Sequence, residues 1–108
     1  MQAQKSNESL NDVLSALADP IRRAIVERLS RGPATVGELR SPFSVSAPAI
    51  SRHLRVLEAA GLLAREKRGR EHWCSLVLEP LDEVDDFVRR TRGFWDAKLD
   101  QLAAYVEE

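Results

Sequence analysis

The chain has 108 residues, 44% hydrophobic and 31% charged, and a net charge of −1. That is the size and make-up of one globular, helix-rich domain, and the overall balance excludes a uniformly basic or acidic surface. A lone cysteine, Cys74, excludes an intramolecular disulfide. With no signal-peptide run in MQAQKSNESLND and no stretch of ~20 apolar residues, the expected location is the cytoplasm.

Residues 1–8 are polar and are expected as a flexible tail ahead of a single domain over residues 9–108. Leu10, Val13, Leu14 and Leu17 recur at helical spacing and predict a short amphipathic helix ending near Asp19. Asp19-Pro20 then joins an acidic N-cap to a proline at the first helical position. A second helix should run from about Pro20 to Ser30, turning Ile21, Ala24, Ile25, Val26 and Leu29 inward until Gly32-Pro33 stops it. Thr35 caps a brief third helix through Val36 and Leu39, which ends before Pro42. Phe43 and Val45 are expected to tuck under the turn that follows.

The fourth helix is the most informative. Ser46 is a natural N-cap, and Pro48 sits early enough that its missing N–H removes no intrahelical bond. Ile50, Leu54 and Leu57 form a buried stripe, and Gly61 is the C-terminal stop. Ser51, Arg52 and Arg55 fall away from that stripe, as does Ala47. A helix anchored on one side and carrying short polar and guanidinium groups on the other suits a DNA major groove. The charge agrees, because residues 40–73 carry a net +4 while residues 74–108 carry −5 and residues 1–39 balance.

After Gly61 the period changes. Leu62–Arg65 and His72–Leu78 read as two strands around a basic turn containing Gly69, a β-hairpin expected to be looser than the tightest turns. Glu79-Pro80 opens the last helix. There Leu81, Val84, Val88, Thr91, Trp95, Leu99, Leu102 and Val106 recur in steps of three and four, widened by Phe87, Phe94 and Tyr105. At 1.5 Å per residue this helix reaches ~40 Å, too long for the small helical core before it to cover. Gly93 weakens it by ~1 kcal/mol relative to alanine and is the expected site of any bend.

The motifs Leu17-Ala18-Asp19-Pro20-Ile21-Arg22-Arg23, Glu38-Leu39, Ala49-Ile50-Ser51-Arg52-His53-Leu54-Arg55-Val56-Leu57-Glu58-Ala59-Ala60-Gly61-Leu62-Leu63 and Arg68-Gly69-Arg70 occur in that order. Together they resemble the ArsR/SmtB-type winged helix-turn-helix repressors of bacteria and archaea, over nearly the whole chain from Leu10 to about Val106. The resemblance implies a mainly α fold with a small β-hairpin, of order α-α-α-α-β-β-α. It implies a homodimer joined through the first and last helices, which places Leu10, Leu14, Leu81, Val84, Val88, Trp95, Leu99 and Leu102 at the interface. It also implies a repressor that binds double-stranded DNA at a near-palindromic operator, working on the nucleoid and released by an inducer. The DNA contacts would then be Ser46, Ala47, Pro48, Ser51, Arg52 and Arg55 in the major groove, with Arg68 and Arg70 of the wing on the minor groove or the phosphates.

Metal sensing does not carry over. The metal-responsive members place cysteines after Glu-Leu in the third helix, where this chain reads Glu38-Leu39-Arg40-Ser41-Pro42, or Asp and His ligands along the last helix, which here has no histidine after His72. No cofactor is expected. His53 is expected to pack beside the buried stripe. His72 and Cys74 share a strand face, but two ligands do not close a tetrahedral site. Trp73 and Trp95 are expected in the core and at the dimer interface. Enzymatic readings find no phosphate loop, nucleophile elbow or H-E-x-x-H. Two alternatives stand beside the DNA-binding one: a winged-helix protein-interaction module without DNA binding, and a repressor responding to redox state or a ligand through Cys74 or the dimer interface.

Overall fold

Eight elements follow one another in the computed structural model, which describes the backbone of residues 2–107 and the side chains of residues 9–106. They are α1 (Gln2–Ala16), α2 (Pro20–Leu29), β1 (Ala34–Thr35), α3 (Val36–Arg40), α4 (Ala47–Ala59), β2 (Leu63–Arg68), β3 (Glu71–Leu76) and α5 (Glu79–Glu107). Helix α1 starts at Gln2, so its backbone runs through most of the segment expected as a tail, where no glycine or proline interrupts it. It also ends at Ala16, short of the Asp19 cap.

Helices α2, α3 and α4 begin where side-chain chemistry places them. Asp19 caps α2, accepting from the amides of Ile21 (2.8 Å) and Arg22 (3.2 Å). Thr35 and Glu38 form a reciprocal capping box at α3. Ser46 accepts from the Ala49 amide at 3.2 Å to start α4. The end of α4 is equally specified. Gly61 takes a φ of 78°, and the amides of Gly61 and Leu62 return to the carbonyls of Glu58 and Leu57. This is a Schellman closure, with Leu57 and Leu62 both buried beneath it.

The sheet has three strands, in the order β1-β3-β2, all antiparallel. Strand β1, two residues long, was not expected; it pairs Ala34 with Cys74 and Thr35 with Trp73. The hairpin is also tighter than expected. Pairing continues to Arg68↔Glu71, leaving only Gly69 and Arg70 in the turn. Gly69 has a φ of 64° and Arg70 stays negative, the II′ pattern that puts glycine first.

The core gathers Val13, Ala16, Ile25, Leu29, Ala34, Leu39, Ile50, Leu54, Leu57, Leu62, Leu63 and Cys74, so every element contributes except α5. Phe43 and Val45 pack against it as expected. Among the described residues, helix α5 joins this core only through Leu81 and Val84, and it lies against α1. From Asp85 to Val106 every residue of α5 is exposed. No helix is long and apolar enough to cross a membrane, among the described residues.

Candidate nucleic-acid interface

Helix α4 is oriented by its buried ridge. Ile50, Leu54 and Leu57 are at most 1% exposed, which sets the face of the helix that points inward. At about 100° per residue, Ser51, Arg55 and Arg52 then turn progressively outward on one side of that ridge. Arg52 and Arg55 are exposed, as are Ser46, Ala47 and Pro48 at the start of the helix, while Ser51 is half-buried. Neither Arg52 nor Arg55 takes part in an ion pair among the described residues.

The wing carries its cations differently. Arg70 lies exposed in the turn. Arg68 is exposed too, but it is already engaged: its Nη2 lies 3.1 Å from Glu66, and its guanidinium stands 5.3 Å from the Trp73 ring centroid. Trp73 is therefore a half-buried platform on the wing and not a member of the core as expected. Trp95 is 60% exposed on α5.

On the far side of the α4 ridge sits His53, half-buried, where its Nδ1 meets Nη1 of Arg22 at 3.2 Å. It packs, as expected. The motif around Asp19 also gains a physical meaning that the sequence alone did not carry. Arg22 donates from Nε to the Ala16 carbonyl, and Arg23 donates from Nη1 to Leu17 at 2.7 Å, so both arginines cap the C-terminal end of α1. Burial raises the Asp19 carboxyl, but the Arg22 and Ile21 amides and the nearby Arg22 charge hold it below its ordinary value.

Cys74 and His72 do not make a site. Cys74 is fully buried beside Ala34, and burial pushes its thiol up, against the pull of Arg65 and helped by Glu58. A thiol so placed is a small core side chain, not a nucleophile. His72 lies exposed further along the wing, paired with Lys67. Among the described residues no group of three His, Cys, Asp or Glu side chains is gathered closely enough to hold a metal ion.

The residues expected to meet a second copy are divided. Leu14, Val88, Trp95, Leu99 and Leu102 are exposed. Leu10 is half-buried, and Leu81 and Val84 pack partly against the chain's own core, because the start of α5 is where the helix leaves that core.

Residues 17–66, which hold α2 through most of β2, match a helix-turn-helix domain model. The HTH-type transcriptional regulator Rv2034 of Mycobacterium tuberculosis is 56% identical over 54 residues, and the match spans half of each chain. The transcriptional repressor SdpR of Bacillus subtilis is 36% identical over 62% of this chain and 74% of its own length. A crystal structure of an ArsR family transcriptional regulator superposes with a TM-score of 0.79 at 41% identity, covering 83% of this chain and 93% of that one. With the outward arginines of α4, the wing and these likenesses together, the chain belongs to the ArsR/SmtB family of DNA-binding helix-turn-helix transcriptional regulators.

Proposed function

We propose that this chain is a homodimeric repressor that sets residues 47–55 of each protomer into successive major grooves of a near-palindromic operator. The observation that carries this is the face of α4: its aliphatic ridge is sealed in the core, while Arg52 and Arg55 stand exposed and outside any ion pair among the described residues. Guanidinium forks at that position suit guanine O6 and N7, and Ser51 suits a base edge or a phosphate. Ser46, Ala47 and Pro48 bring the helix start to the backbone, and Arg68 and Arg70 extend the contact through the wing. Dimerisation supplies the two-fold that a palindrome requires, and the exposed apolar side of α5 supports it.

The test is selection of bound sequences from a random DNA pool, followed by fluorescence anisotropy on the recovered site. A palindrome with half-sites one helical turn apart, bound by two chains, is the expected result. Recovery of no preferred sequence at any salt concentration counts against the reading.

A further inference from the structure

Resting on the DNA reading above, we propose that Arg22 and His53 form a strut that positions the reading helix, a role neither residue fulfils by touching DNA. One guanidinium serves three elements. Arg22 rides on α2, its Nε and Nη2 hold the Ala16 and Ser15 carbonyls at the end of α1 (2.6 and 3.3 Å), and its Nη1 reaches His53 on α4 (3.2 Å). These are the last carbonyls of α1, where helical partners run out; that of Ser15 also accepts from the Ala18 amide at 3.2 Å. The planar fork of arginine makes all three bonds from one side chain, which a lysine ammonium on a flexible stem does not reproduce.

Arginine has only donors, so Nδ1 of His53 must be the acceptor, and the neutral ring carries its proton on Nε2. His53 flanks the buried ridge on the side away from Ser51 and Arg55. Ile50, Leu54 and Leu57 hold the depth of α4, but apolar packing is non-directional and tolerates small rotations. A directional bond on one flank removes that freedom and sets where Arg52 and Arg55 point. Because α1 also lies against α5, the strut connects the helices proposed to dimerise with the helix proposed to read bases.

Two measurements on the full chain test this. In the DNA-free protein, ring 15N NMR is expected to find His53 as an Nε2–H tautomer with an accepting Nδ1, and Arg22→Lys is expected to release it into a mixture. An Nδ1–H ring in the unmodified protein overturns the strut whether or not DNA is bound. On a selected operator, His53→Leu is expected to lower the ratio of specific to non-specific affinity by roughly 2- to 25-fold, the range for residues coupled to a site they do not touch. His53→Asn, whose Oδ1 falls where Nδ1 stood, is expected to restore most of that ratio. Undiminished discrimination in His53→Leu, no rescue by asparagine, or a parallel fall of specific binding, non-specific binding and Tm overturns the proposal. Unmodified protein that selects no sequence instead defeats the DNA reading itself, leaving the tautomer result to judge the contact.

Discussion

Most arginines near the core of this protein are held by its own structure. Arg22 and Arg23 close α1, Arg28 meets Glu38 at 3.4 Å, Arg40 donates to the Val45 carbonyl, and Arg65 faces Glu58. Against that background Arg52 and Arg55 stand out, and truncating either to alanine is expected to weaken operator binding by about 1–3 kcal/mol if its base contact is bidentate. Both are exposed, so thermal unfolding should move little. Anisotropy and a melting curve on the same samples separate the two effects. Arg68 behaves differently because Glu66 already holds it, and would compete with the phosphates proposed for the wing. Glu66→Gln removes that competitor and a negative charge from the wing, so it is expected to tighten binding to any duplex by a few-fold, whereas Trp73→Ala removes the platform and should loosen it. The outward aim of Arg52 and Arg55 was legible in the sequence because helical period alone dictates it. The engagement of Arg68 was not, since whether Trp73 lies beneath it depends on hairpin register, and register depends on a turn whose length the sequence left open.

Among the elements, the starts of α2, α3 and α4 were the most legible, for a capping side chain acts within three residues of itself. Strand β1 was not legible: two residues carry no period, and Ala34 and Thr35 are a strand only because β3 offers them partners. The Asp19 cap has a consequence in pH. Its carboxyl is held below its ordinary value of 3.8 when folded, so its contribution is present above that value and is lost as pH falls through the lowered folded one. Asp19→Asn keeps an accepting oxygen but no titrating charge, and should flatten the acid side of the stability profile without a large change at neutral pH. Asp19→Ala loses the cap at every pH, at a cost of about 1 kcal/mol, as denaturant titration would read. Within α5 the helix passes through Gly93 without a break, and a Cβ there would meet nothing within 4 Å. Gly93→Ala is therefore expected to stabilise by up to ~1 kcal/mol, visible as a rise in Tm. Gly93 lies off the apolar side of the helix, so dimerisation should be unaffected; a fall in Tm would mean that the position is covered in the assembly.

At the scale of the whole molecule, a single chain is extended in a way that supports the proposed dimer. Its radius of gyration is 18.4 Å, where a compact domain of this length has ~13 Å, and α5 accounts for the difference by leaving the core after Val84. Phe94, Trp95, Leu99, Leu102, Tyr105 and Val106 are each at least 58% exposed, an apolar surface that water alone does not suit. That the last helix outruns its core was legible from length and period; which of its residues the chain keeps for itself, Leu81 and Val84, needed the packing. Leu99→Glu with Leu102→Glu is expected to yield monomers by sedimentation, since a charge in a closed α5 interface has no partner. The same variant gives a second, independent reading through salt. If each protomer neutralises about two phosphates, with Arg68 and Arg70 of the wing as the contributors, log affinity should fall against log salt with a slope of roughly −4 for the dimer and about half that for the monomer. Removing either of these wing arginines should make the slope of the dimer shallower by about two, one for each protomer. A slope that stays the same when the dimer is broken would mean that one chain alone makes every phosphate contact, and the two-fold operator would then have no physical basis.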